Sequence, residues 1–144
     1  MKCIININEN NNEEVHIFAR KRTKLVDEIE SLVENGTKEL TGYSGGENYI
    51  ISLGEIYCFT VENNKIYALT CDNKLWIKHR LYQIENMLDN RFIKINQSCI
   101  MNINCISKFD ATISGTLNVT LKNGYVDYVS RRNVKSVKER LGVK

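Results

Sequence analysis

Arg91-Phe92-Ile93-Lys94-Ile95-Asn96-Gln97-Ser98-Cys99-Ile100-Met101-Asn102-Ile103-Asn104-Cys105-Ile106 is the stretch around which the chain is organised. Phe92 to Asn96 roughly alternates apolar and polar residues, which is the period of a strand with one buried face. Asn96-Gln97-Ser98 then breaks the pattern. Short amide and hydroxyl side chains bond nearby backbone groups and turn a chain easily. The apolar residues resume at Cys99 to Ile103. The stretch thus predicts two strands on a buried support, with three neutral hydrogen-bonding side chains pushed outward between them. Asn102, inside the apolar run, reads as a satisfied core amide rather than a surface contact.

Working outward, the neighbouring segments are short, rich in Ile, Val, Tyr and Phe, and bounded by Asn or Gly. Strands are expected at Tyr49–Leu53, Ile56–Val61, Ile66–Cys71 and Lys74–Lys78, with a hairpin tip at Glu62–Lys65 and a turn at Asp72-Asn73. Leu81, Ile84, Met87 and Leu88 form one apolar stripe, so a short helix lies across the sheet. Later strands are expected at Ile106–Phe109, Thr112–Leu121 and Tyr125–Val129. Asn123-Gly124 joins the last two, since both residues tolerate positive φ. Ser130 caps a final helix with Val134, Val137 and Leu141 inward and Arg131, Lys135 and Lys138 outward. The fold class is mostly β.

The N-terminal part reads differently. Residues 2–8 and Val15 to Ala19 alternate as two strands of a hairpin. A helix from Thr23 follows, with Leu25, Val26, Ile29, Leu32 and Val33 on one face and Asn35-Gly36 as its stop. This β-β-α extension, residues 1–40, is too small to stand alone and must pack on the main domain or on another copy of the chain. Residues 41–48, with three glycines, read as a flexible linker-like stretch, and the main domain as 41–144.

The chain has 144 residues, 42% of them hydrophobic, which suffices for one domain with a small extension. No apolar run approaches the roughly 18–20 residues that span a bilayer. The N-terminus lacks the apolar region and cleavage site of a signal peptide, so the protein is expected in the cytoplasm. Net charge is only +3, but its distribution is uneven. From Leu121 onward there are Lys122, Arg131, Arg132, Lys135, Lys138, Arg140 and Lys144 against Asp127 and Glu139. Clustered basic residues are the footprint of a polyanion partner, or else a solvated helix face. Arg20-Lys21-Arg22-Thr23-Lys24 reads as a solvated helix flank, with a second contact to such a polyanion as the other reading.

An enzyme needs convergent activated groups, and the sequence offers no Gly-rich phosphate loop, His–Glu metal pair or Gly-x-Ser-x-Gly. His79 reads as a surface residue, Glu55 as structural and Trp76 as packing. Cys3, Cys58, Cys71, Cys99 and Cys105 form no Cys-x-x-Cys. All but Cys3 lie in apolar, strand-like context, and read as small core residues, a redox switch being the other reading. No metal or other cofactor is expected.

Phe92 to Ile103, then Leu121-Lys122-Asn123-Gly124, then Val129 to Val134, taken in order and preceded by the Leu81–Leu88 helix, resemble the LytTR family of bacterial DNA-binding domains. The resemblance covers roughly residues 41–144. It implies an elongated multi-strand β fold with short helices, whose loops read double-stranded DNA from one face. Carried over residue by residue, the base contacts fall on Lys65 (or Asn64 if the hairpin shifts by one), on Gln97 and on Arg132. The remaining positions, Asn64, Asn96, Ser98, Arg131, Asn133 and Lys135, fall where the DNA backbone is held. Arg and Lys suit guanine, Asn and Gln suit adenine. The resemblance further implies a transcriptional regulator on paired direct repeats, two copies on one promoter, and an input from a separate membrane or sensor protein. The rival from another class is a protein-interaction module with an incidental basic C-terminal face. An RNA-binding module is disfavoured, because the three loops lack aromatics to stack unpaired bases.

Overall fold

The computed structural model describes residues 2–35, 38–111 and 115–142. Seven strands build the larger sheet: β1 (Glu39–Ser44), β2 (Glu47–Ser52), β3 (Cys58–Glu62), β4 (Lys65–Leu69), β5 (Lys74–Ile77), β6 (Phe92–Asn96) and β7 (Cys99–Asn102). Their spatial order is β2-β1-β5-β4-β3-β7-β6, and every pairing is antiparallel. Three more strands, β8 (Ile106–Ala111), β9 (Leu117–Leu121) and β10 (Val126–Val129), form a second antiparallel sheet. The helices are α1 (Lys24–Asn35), α2 (Leu81–Met87) and α3 (Arg131–Leu141). The mostly β character expected from the sequence is thus met.

Alternation along the strands divides the interior in two. On one face of the larger sheet Leu40, Ile51, Phe59, Ile66, Ala68, Leu75, Ile77, Phe92 and Ile100 pack under Ile84 of α2, with Leu81, Met87 and Leu88 at its edge. On the other face Cys58, Cys99, Met101 and Ile95 pack against Leu117, Val119, Leu121 and Val129 of the second sheet and Val137 of α3. Phe92 and Ile95 serve opposite cores although both lie on β6, because three positions apart is an odd step in a period of two. A register shift between Lys94 and Asn96 then turns the end of β6. The second core covers the β3-β7-β6 side and reaches β4 at Leu69. Over β4, β5 and β1 that face carries the half-buried rings of Tyr67, Trp76 and Tyr43.

Four expectations are corrected. Residues 2–8 and 15–19 form no strands. Ile4, Ile7 and Phe18 are 79%, 92% and 93% exposed. Alternation makes a segment competent for a strand, but its N–H and C=O groups still need a partner strand, and the described chain offers none. Second, residues 41–48 are not a linker. They belong to the β1–β2 hairpin, in which Thr41 pairs with Ile50 and Tyr43 with Asn48 across Gly45 and Gly46, whose φ values are 58° and 80°. Third, Cys71 is exposed, whereas Cys58, Cys99 and Cys105 are buried as expected. A hydrogen bond with Cys58, and then burial, raise the Cys99 thiol's pKa, so it stays protonated. Fourth, α1 leaves Leu25, Leu32 and Val33 exposed, and only Val26 and Ile29 are half covered. Gly36 and residues 112–114, parts of the expected helix stop and strand, lie outside the described residues.

Gly42 shows why a glycine-rich stretch is structural here. A Cβ at Gly42 would stand 2.7 Å from Leu75 Cβ, too close for two carbons. Gly42→Ala should therefore lower stability by about 1–3 kcal/mol through overpacking of β1 on β5. Urea unfolding checks this, and an unchanged midpoint contradicts the close approach.

Candidate nucleic-acid interface

The site is built on the end of β6. Asn96 is 3% exposed, and all three of its hydrogen bonds are to the chain itself. Its Nδ2 donates to Asp127 Oδ1 at 3.1 Å and to the Tyr128 carbonyl at 2.8 Å, and its Oδ1 accepts from the Ser98 N–H at 2.8 Å. One amide thus shapes the β6–β7 turn and ties it to β10. Gln97 and Ser98 at the tip are exposed.

The start of α3 is fixed to the same place. The Ser130 N–H donates to the Ile95 carbonyl at 2.9 Å, and Asn133 Nδ2 donates to that carbonyl at 3.2 Å and to Ser130 Oγ at 2.9 Å. Ser130 occupies the N-cap position, but its side chain makes no cap bond to a backbone N–H. Val137, fully buried, holds the helix from below, and Gly142 closes it in the left-handed conformation at φ 70°. Arg131, Arg132 and Lys135 are left exposed on its first turns.

The third loop is the β3–β4 tip. Glu62 pairs with Lys65, so Asn63 and Asn64 form a two-residue turn, with φ values of 50° and 62°. Both positive angles are what a tight hairpin of matching twist requires. Thr60 pairs with Cys99, and the Val61 N–H donates to the Ser98 carbonyl at 2.9 Å. The tip therefore projects from the same end of the sheet as the β6–β7 turn.

Carboxylates near this end are occupied. Asp127 accepts from Asn96, from Tyr125 Oη at 2.8 Å and from the Tyr128 N–H at 2.8 Å. Burial, followed by the bond to Asp127, raises the Tyr125 phenol's pKa, so the strut remains protonated. Glu62 is paired with Lys74 at 2.5 Å and Glu85 with Lys94 at 3.0 Å. Lys65, Arg131, Arg132 and Lys135 have no carboxylate partner among the described residues. This end is thus a surface of uncompensated cations with amides between them. No three His, Cys, Asp or Glu side chains lie together as metal ligands among the described residues.

Of the expected contacts, Asn96, Gln97, Ser98, Arg132 and Asn133 line one concave surface with Lys94, Tyr128 and Ser130. Arg131 and Lys135 flank it, while Asn64 and Lys65 stand on the separate tip. Asn96, expected at the DNA backbone, is buried, and both of its amide protons go to Asp127 and the Tyr128 carbonyl. Asn133 spends both of its amide protons in the same way. Sequence reasoning missed Tyr128, 54% exposed beside Arg132's loop. Its signal was the alternation Val126-Asp127-Tyr128-Val129, which points Val126 and Tyr128 outward.

The model of the family described as "LytTr DNA-binding domain" matches residues 46–142. Two Staphylococcus aureus proteins, each named an uncharacterized HTH-type transcriptional regulator, are 36% identical over 146 residues, 99% of this chain and of theirs; they come from strains bovine RF122 / ET3-1 and NCTC 8325 / PS 47. Among solved structures, the LytTr DNA-binding domain of a Bacillus cereus methyl-accepting/DNA response regulator superposes with a TM-score of 0.69 at 20% identity, covering 74% of this chain and 99% of that one. The second likeness is one of fold. No two α-helices are consecutive among the described residues, which therefore hold no helix-turn-helix.

Asn96→Ala should cost about 1–3 kcal/mol of stability, since it strands a buried carbonyl and an N–H. It should also loosen the Gln97-Ser98 turn. Chemical denaturation checks the first, and faster amide exchange at Ser98 the second. Wild-type values for both contradict the role of Asn96 as a support.

Proposed function

This chain belongs to the LytTr DNA-binding domain family and is a DNA-binding transcription regulator, and we propose that it reads the major groove of double-stranded DNA with loops on a β scaffold. Arg132 is the reader aimed at guanine, Gln97 the reader aimed at adenine, and Lys65 or Asn64 the contact from the first tip. Ser98, Arg131 and Lys135 hold phosphates, which position the duplex without reading it. Asn96 and Asn133 keep the loops in place.

The observation that carries this reading is the shared support. Ile95 accepts two hydrogen bonds from the start of α3, and its neighbour Asn96 builds the adjoining turn. Gln97 and Arg132 are therefore held relative to each other by one backbone bond and by the side-chain amides of Asn96 and Asn133. A recognition helix is unnecessary when two rigid turns present readers from one end of a sheet.

The reading extends to the assembly. The regulator acts on paired direct repeats in promoters, where two copies each too weak alone become effective together. The exposed apolar residues of segment 2–35 serve self-association with a second copy, so this segment is the extension and the sheet from β1 onward the DNA-binding domain. It acts in the cytoplasm and takes its input from a separate membrane or sensor protein. Removal of residues 1–22 should reduce the sedimentation coefficient of a dimer to that of a monomer. A chain that is monomeric with those residues present contradicts self-association.

On the DNA upstream of its own gene, Arg132→Ala should cost roughly 1–3 kcal/mol and relax preference at one base position. Lys135→Ala should weaken promoter and random duplexes alike and lower the salt slope by about one unit. Mobility shifts with excess random competitor check both. Equal losses on both duplexes for Arg132→Ala contradict its role as a reader, and would favour an incidental basic face on a protein-interaction module.

A further inference from the structure

The loops leave part of the reading end without a role. Ile66 pairs with Ile77, so Lys78, one residue past β5, comes level with Lys65 at the start of β4. Both ammonium groups gather at one indole. Lys65 Nζ stands 5.0 Å from the Trp76 ring centroid, and Lys78 Nζ stands 5.3 Å from it and 4.1 Å from the Tyr43 ring. The two charges are thus no more than about 10 Å apart. Neither has a carboxylate partner among the described residues, and neither has Arg80, exposed two residues further on. Lys74 on the same face is different: it is paired with Glu62 and lies over Tyr67.

Each ring contact stabilises its cation modestly at an exposed site. The convergence of two like charges on one ring opposes that gain, and an anion between them removes the opposition. Adjacent strands lie roughly 4.8 Å apart, so β5 is about 19 Å from β6 across the larger sheet. With the start of α3 beyond β6, the uncompensated cations form a strip on the scale of one turn of duplex, roughly 34 Å. Lys65 and Lys78 meet on the Trp76 ring, and Arg80 follows at the N-cap of α2.

We propose that Lys78, beside Lys65 on the Tyr43–Trp76 shelf, and Arg80 at the start of α2 form a further phosphate-binding element that grips the DNA backbone flanking the segment read by the loops. The proposal rests on the DNA-binding reading above. It assigns the β5–α2 turn to duplex backbone because its cations continue that interface and carry no base-edge geometry of their own.

The test uses the full chain and fluorescence anisotropy, with the promoter duplex and a random duplex, over a range of salt. The Lys78→Ala/Arg80→Ala variant should lower the slope of log affinity against log salt by about two on both duplexes. The ratio of promoter to random affinity should not change. Lys122→Ala, in the β9–β10 turn at the opposite end of β10 from Ser130, should leave the slope as it is. An unchanged slope in the double variant overturns the proposal, and so does an equal fall per charge removed in Lys122→Ala. Arg132→Ala separates the two readings. If it leaves promoter preference intact while the double variant still lowers the slope by two, the loop assignment fails and the phosphate element stands.

Discussion

A buried amide must find all its hydrogen bonds inside the protein, and that constraint at Asn96 organises the interface. An unsatisfied buried donor or acceptor costs about 1–3 kcal/mol. Asn96 meets the demand by reaching Asp127, the Tyr128 carbonyl and the Ser98 N–H. Those partners lie on the last strand of the second sheet and on the adjoining turn. The requirement therefore closes the seam between the two sheets at the point where the chain enters α3. Asp127 is in turn held by Tyr125, so the corner is a satisfied polar network rather than a single bond.

From that corner the rest follows mechanically. The larger sheet is buried on one face under α2 and, over β3, β7 and β6, on the other under the second sheet with α3. α3 is therefore fixed twice: by Val137 in the core and by the bonds of Ser130 and Asn133 to Ile95. Its first turn has no freedom to swing away from the β6–β7 turn. Carboxylates at this end are consumed by internal partners, while several cations are not. Rigid support and uncompensated positive charge at one edge are what a backbone-plus-base reader needs, since charge supplies affinity and fixed side chains supply discrimination.

Much of this was legible in local chemistry. Asn63-Asn64 and Asn123-Gly124 mark turns, and both turns occur, though in the second only Gly124 takes positive φ while the Asn123 side chain accepts from the Tyr125 N–H. The alternation before Asn96 and the stripe in α2 gave elements at nearly their observed limits. Asn102, inside an apolar run, reads as a core amide, and it donates to the Ile56 carbonyl at 3.0 Å. What escaped depended on partners distant in sequence. Gly42 reads as flexible until Leu75 is placed against it. Asn96 reads as a turn residue until Asp127 and Tyr128 arrive from thirty residues away. The N-terminal alternation states competence for a strand, not the presence of a neighbour. Trp76 read as packing, and two lysines are carried on its ring.

The most direct test of the account is an amide-resolved NMR titration of the full chain with the promoter duplex. The account predicts that the largest shifts fall at residues 63–65, 78–80, 97–98 and 130–133, one edge of the larger sheet and the start of α3. Shifts concentrated instead in α1, the 2–22 segment or the β9–β10 turn, with that edge unmoved, would contradict it.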